Sequence, residues 1–146
     1  MRAHISGELP RPPLSYLMGA RPTEAGEATC TFAMPATGWL CSPLGTVEGG
    51  VTACLADLAL GGAVQTTVPS GTALAPTDLR VQFLRPVRPD GRMLTAAARV
   101  VHRGRTVAVA QAAVTNADGK LVALATGSAL LLPGRRADLR DAVALS

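Results

Sequence analysis

The stretch Gly45–Thr66, GTVEGGVTACLADLALGGAVQT, constrains this chain most. A turn leads into a glycine pair, and a long apolar run follows with a single acid, Asp57, and no Lys, Arg or His. The pattern predicts one helix over about Gly49–Thr66, ended by Val68-Pro69-Ser70-Gly71. At helical spacing Val51, Leu55 and Leu58 form an apolar stripe that needs a core. Gly50, Ala53, Cys54, Asp57 and Gly61 fall on the other side, as a groove of small residues around one carboxylate. A solvated helix face would carry more charge, so this helix is expected to be covered on most sides.

Beyond the helix the hydrophobic period changes from 3.6 to 2. Thr72–Leu84, Met93–His102, Arg105–Asn116 and Lys120–Leu132 read as four long strands, with Arg103-Gly104 and Asp118-Gly119 as tight hairpin signals. Before the helix, Ala20–Glu24 and Ala28–Met34 read as two short strands, and Leu14–Met18 as a short helix or turn packed by Leu14 and Leu17. Trp39 and Leu40 lie in a loop and are expected to pack over something. Residues 1–13 read as a flexible N-terminal arm, 14–132 as one folded domain and 133–146 as a flexible tail. One substantial helix must cover a six-stranded sheet, so an α+β fold follows, an antiparallel sheet wrapped around the helix. Its exposed strand edges invite pairing with a second copy.

Composition narrows the function classes. The chain has 146 residues, 48% hydrophobic but only 3% aromatic, so its core rests on Ala, Val and Leu. A formal charge of +4 is carried almost wholly by Arg, and no basic run exceeds Arg135-Arg136. With few rings to stack on bases, this argues against nucleic acid and for a small phosphorylated ligand. Three cysteines, Cys30, Cys41 and Cys54, are odd in number and lack CxxC spacing, which reads as free thiols in a reducing, cytoplasmic setting. With two histidines, His4 and His102, a His-rich metal site is not expected. No run reaches the roughly 18 apolar residues of a membrane helix, and no signal peptide is apparent.

Three passages together resemble the hotdog fold, and more closely the PaaI-like branch of acyl-CoA thioesterases. They are Pro43-Leu44-Gly45-Thr46-Val47-Glu48-Gly49-Gly50, Leu55-Ala56-Asp57, and Asp78-Leu79-Arg80-Val81-Gln82-Phe83-Leu84-Arg85-Pro86. The resemblance spans about Pro13–Leu132. Two positions depart from it: Glu48 stands where the family has histidine, and Ser42 where it has asparagine. The resemblance implies a homodimer or a dimer of dimers (a homotetramer), with the active site at the subunit interface. It also implies hydrolysis of an acyl-CoA thioester without metal or redox cofactor, with acyl carrier protein as another possible carrier of the acyl group.

The residues offer matching chemistry. A thiolate leaving group whose conjugate acid has a pKa of roughly 8.5 departs with little help. The site then needs water activation or a nucleophile, for which Asp57 is the candidate; the plain alternative is a helix Asp bonded to a polar neighbour. Gly49 at the helix N-terminus offers an oxyanion donor, worth on the order of 3 kcal/mol, or Gly49 and Gly50 serve only close packing. Glu48 either orients water or caps the helix, and it meets Asp57 only if it sits before the helix. Thr77 matches a family hydroxyl that meets the acid from the neighbouring subunit, or is an ordinary strand residue. Ser42 stands in for the family Asn or is a plain loop residue. Arg85, Arg88, Arg103 and Arg105, with Gly104 allowing close approach, are candidates for coenzyme A phosphates, and at least two of the four are expected to be solvated surface. Two other classes stay open. One is a non-catalytic acyl-CoA or acyl-carrier-protein binding module. The other is a hotdog dehydratase or hydratase, which needs a histidine beside the acid, a position neither His4 nor His102 is expected to fill.

Overall fold

A computed structural model describes residues 1–134 of the chain. A one-turn helix α1 (Arg2–Ile5) lies within the expected arm, and α2 (Pro13–Met18) leads into the hairpin β1 (Arg21–Gly26) and β2 (Thr29–Pro35). A 3-10 turn, Gly38–Leu40, precedes the long helix α3 (Gly49–Gln65). Four strands follow: β3 (Ala73–Phe83), β4 (Met93–Arg103), β5 (Val107–Thr115) and β6 (Leu121–Leu132). They form one antiparallel sheet in the order β1-β2-β4-β5-β6-β3. Most of the expected C-terminal tail, residues 135–146, lies outside the described residues. No helix among the described residues is long and apolar enough to cross a membrane.

The alanines explain how close the helix comes. On α3, Ala56, Ala59 and Ala63 are fully buried, and they meet a sheet floor of Ala96, Ala98, Ala110, Ala112 and Ala125. Small side chains on both surfaces bring the axis near the sheet, so larger groups fill only the margins: Met34, Leu55, Leu94, Val114 and Val122. At Gly62 the approach is closest, since a Cβ there would lie 2.7 Å from Cys30 Sγ.

The buried stripe of α3 differs from the one expected. Leu55 is buried, but Val51 and Leu58 are only half-buried, and the core face runs through Thr52, Ala56, Ala59, Leu60, Gly62, Ala63 and Val64. The long apolar side chains suggested one stripe, whereas against an alanine floor the smaller residues take the tightest contact. The groove side came out as read: Ala53, Cys54, Asp57 and Gly61 are half-buried and Gly50 is exposed. On α2 a similar reversal occurs. Ser15 and Met18 face inward, while Leu14, Tyr16 and Leu17 are exposed. Trp39, expected to pack, is 82% exposed in the single chain, and Leu44 is 89% exposed.

The sheet has two edges, β1 and β3. β3 is 11 residues long and exposed along most of its length. Bare backbone donors and acceptors on so long an edge form a template for another strand.

Candidate active site

The turn before α3 is built by its own hydrogen bonds. Ser42 N–H donates to Thr46 O at 2.8 Å, Gly45 N–H donates to Ser42 O at 3.0 Å, and the Ser42 and Thr46 hydroxyls lie 3.5 Å apart. Ser42 therefore closes this turn. Glu48 is the N-cap of α3, with its N–H donating to Leu40 O at 2.8 Å and its Oε1 accepting from Gly49 N–H at 3.2 Å. A carboxylate here is favoured by the free N–H groups and the helix dipole. Of the two roles weighed for Glu48, the cap is the one its bonds show.

Gly49 touches the ring of Phe83, where a Cβ would come within 3.3 Å of Cζ. The two residues share a cleft of about 330 Å³ with Thr46, Val87 and Arg85. Arg85 holds its position by donating from one guanidinium nitrogen to Leu121 O at 2.6 Å. At Gly50 a side chain would meet nothing within 4 Å.

Asp57 opens onto a different and larger cavity, of about 810 Å³. Among the described residues no hydrogen bond or ion pair reaches its carboxylate, and burial alone pushes its pKa above the ordinary value. Cys54, one turn earlier, has its thiol pushed up by burial and then by the Asp57 charge, and the Cys30 thiol is pushed up to about 11, chiefly by burial. Protonated thiols are poor nucleophiles, which argues against a catalytic role for either. All three cysteines are unpaired.

The N-terminal arm walls this cavity, which sequence reasoning missed. His4, Arg11, Ser15 and Phe32 line it beside Asp57, Leu58 and Gly61. His4 is 53 residues from Asp57 in sequence, but α1 packs at β1 and places it in the lining of the same cavity, with no hydrogen bond between the two. Local periodicity carries no signal for a contact of that range.

The four arginines do not form one cluster. Arg103 pairs with Ala108, which is level with Ala129 and so with Pro76 on β3. Arg85 follows the far end of β3, roughly 25 Å away at strand rise. Arg85 therefore sits by Gly49, while Arg103, Gly104 and Arg105 make the β4–β5 hairpin, closed by Gly104 N–H donating to Val107 O at 2.8 Å. Thr77 is the extra residue of a bulge between Pro76 and Asp78. Its hydroxyl lies 2.9 Å from Ser128 Oγ, and Ser128 donates in turn to Asp78. Ser128 shares its sheet face with the exposed Leu124 and Leu130, while Gly127 beside it faces Leu60 of α3. The Thr77 hydroxyl is thus committed to the outer face, and the structure does not bring it to Asp57 of its own chain.

The sequence model of the thioesterase superfamily matches residues 44–123, more than half of the chain. The chain belongs to the thioesterase superfamily. Its architecture is that of the hotdog thioesterases of the PaaI-like kind. The PaaI protein of the Escherichia coli phenylacetic acid degradation operon superposes with a TM-score of 0.79 at 27% identity, over 91% of this chain and 92% of that one. A phenylacetic acid degradation-related protein from Ralstonia eutropha gives a TM-score of 0.80 at 27% identity, over 88% and 97%. A Halobacterium salinarum protein named a candidate esterase is 47% identical over 77 residues, 51% of this chain and 49% of that one. The chain thus spans about half the length of this curated relative. The matched stretch holds the end of the turn, the capped helix, Asp57 and Arg85, while His4, Ser15 and Ser42 fall outside it.

Proposed function

We propose that this thioesterase hydrolyses acyl-CoA thioesters at a site completed by a second copy of the chain. The observation that carries the reading is Asp57, an unpaired, half-buried carboxylate on a small-residue groove, facing a cavity large enough for an acyl group. Asp57 takes a proton from water as the water oxygen bonds to the thioester carbonyl carbon, or attacks that carbon itself and forms an acyl–Asp57 anhydride that water then hydrolyses. The carbonyl oxygen gains the negative charge, the C–S bond then breaks, and CoA leaves as a thiolate.

The developing oxyanion is met by N–H groups at the N-terminus of α3. Gly49 and Asp57 are eight residues apart, a rise of about 12 Å along one helix. A single carbonyl cannot touch both in one chain, so the acid of one copy works with the helix N-terminus of the other. The exposed Glu48 side chain swings off Gly49 N–H to admit the carbonyl, and Gly50 N–H stands beside it. Pairing along the β3 edges brings two copies together and gives the exposed Trp39, Leu44 and Phe83 a surface to cover. A homodimer or dimer of dimers follows. Arg85, with the exposed Arg88 and Lys120, is offered to the phosphates of CoA. Arg92 is not, because Asp90 and Asp118 hold it at 2.8 and 2.7 Å. Arg103, Gly104 and Arg105 are left as surface.

The reading is tested by thiol release from acyl-CoAs of varied acyl length. Release that saturates with substrate supports it; no release from any thioester at micromolar enzyme contradicts it.

A further inference from the structure

Asp-Gly occurs twice in the chain, as Asp90-Gly91 before β4 and as Asp118-Gly119 between β5 and β6. One residue, Arg92, ties both aspartates. Its Nε donates to Asp90 Oδ2 at 2.8 Å, and its Nη1 and Nη2 donate to Asp118 Oδ1 and Oδ2 at 2.7 and 3.4 Å. Its backbone N–H donates to Asp90 Oδ1 at 3.0 Å, closing an Asx turn. All four carboxylate oxygens, on two separate turns, are engaged by this one residue. Ion pairs so exposed add little to stability, so stability alone does not account for the arrangement.

Asp-Gly bonds are chemically labile, because glycine has no side chain to shield its amide nitrogen. That nitrogen bonds to the aspartate Cγ, and the hydroxyl of the protonated carboxyl leaves with the amide proton as water. The product is a five-membered succinimide. Water then opens the ring at either carbonyl, restoring aspartate or leaving isoaspartate, whose backbone is one methylene longer. Ring closure needs a protonated carboxyl that can rotate and a glycine N–H that is free. Both needs are opposed here. Hydrogen bonds from Arg92 hold the Asp90 and Asp118 carboxyls below their ordinary pKa. Gly91 N–H donates to Ala36 O at 2.8 Å, and Gly119 N–H donates to Asn116 O at 2.9 Å.

We propose that Arg92 guards both bonds against isoaspartate formation, and that Asp118-Gly119 is the modification site uncovered when this guard is lost. The two bonds differ in what remains without the guanidinium. Gly91 stays pinned to buried Ala36, which also donates its own N–H to Arg92 O at 2.8 Å. Gly119 is bonded only within its own turn, exposed over Ala117, Asp118, Gly119 and Lys120, and such local bonds open readily. Asp118 and Arg92 line a cleft of about 460 Å³ together with Arg85, Arg88 and Lys120. A lengthened backbone at Asp118 therefore shifts Lys120 at the rim of that cleft.

The experiment follows isoaspartate at both positions during incubation at neutral pH and physiological temperature. Tryptic peptides carrying Asp90 and Asp118 are separated by chromatography and identified by fragmentation. Folded wild type, wild type unfolded in urea, Arg92→Ala and Arg92→Lys are compared, with circular dichroism reporting the fold of each. In folded wild type both bonds should isomerise about tenfold or more slowly than in urea, because ring closure must first break the bonds that hold its reactants. Arg92→Ala should remain folded and convert Asp118 several-fold faster than wild type, with Asp90 accelerated less. Arg92→Lys should fall between the two, since a compact ammonium cannot reproduce the forked contacts. If Arg92→Ala does not fold, Arg92→Lys against wild type carries the comparison. Equal rates in folded and urea-unfolded wild type would overturn the inference. So would a folded Arg92 variant with the wild-type rate at Asp118, which would leave protection to the turn alone. Faster conversion at Asp90 than at Asp118 in the variant would overturn the choice of site.

Discussion

Gly61 and Gly62 are adjacent on α3 and should respond in opposite directions to alanine. A Cβ at Gly62 would lie 2.7 Å from Cys30 Sγ, 3.1 Å from Phe32 Cε2 and 3.2 Å from Cys30 Cβ. Neither neighbour has room to yield, since Cys30 is 1% exposed and Phe32 5%, and both sit on β2 between β1 and β4. Overpacking a core by one methyl costs about 1–3 kcal/mol, against a helix-propensity gain of about 1 kcal/mol for replacing glycine. Gly62→Ala should therefore lose about 1 kcal/mol net. At Gly61 a Cβ meets nothing within 4 Å, so Gly61→Ala keeps the propensity gain of about 0.5–1 kcal/mol. The pair should differ by about 2 kcal/mol, or about 6–8 °C in melting temperature for a chain of this size. Urea titrations of both variants at one protein concentration measure this, as a shift in midpoint with the slope unchanged. Equal stability of the two variants would refute the close helix–sheet approach at Gly62.

Three further outcomes follow from the site. The pKa of Asp57 is raised by burial, so the acidic limb of kcat/KM should fall above the ordinary carboxylate value, and a limb at or below it would contradict the assignment. The same shift has a stability consequence. With its folded-state pKa above the unfolded one, Asp57 costs stability once pH rises through the folded value. Asp57→Asn should then melt higher than wild type at pH 7, with the gain shrinking as pH falls toward the unfolded pKa; thermal melts at several pH values check this. Arg85→Ala should raise KM for an acyl-CoA several-fold more than it does for the matching acyl-pantetheine, which lacks the nucleotide phosphates. Arg103→Ala and Arg105→Ala, at the far end of the sheet, should leave KM within about twofold.

The parts legible in the sequence are those set by local pattern. The glycine pair and unbroken apolar run gave α3 to within a residue of Gly49–Gln65, and period-2 stretches gave all six strands. An antiparallel sheet wrapped around the helix followed from one helix and six strands, and the resemblance of three passages added the hotdog family. Long-range placement was less legible. Side-chain size suggested Val51 and Leu58 as core, but an alanine floor favours Ala56 and Ala59. Leu14 and Leu17 looked like the packing face of α2, whereas Ser15 is the residue turned inward. The arginines were grouped by residue type, and antiparallel register separates them. His4 reaches the cavity only through the packing of α1 at β1, which no nearby residue signals. The resemblance has Thr77 meet the acid of a neighbouring subunit; within its own chain the bulge sets its hydroxyl beside Ser128.

The central claim is that Asp57 performs the chemistry and does not merely line a binding cavity. The most direct measurement is thiol release and acyl-CoA affinity on the same samples of wild type and Asp57→Asn, a substitution that keeps size and removes the charge. Turnover lower by about a hundredfold or more, with affinity within a few-fold, is the predicted result. Turnover unchanged in Asp57→Asn would contradict the account. So would tight acyl-CoA binding with no turnover in either protein, which would make the chain a binding module.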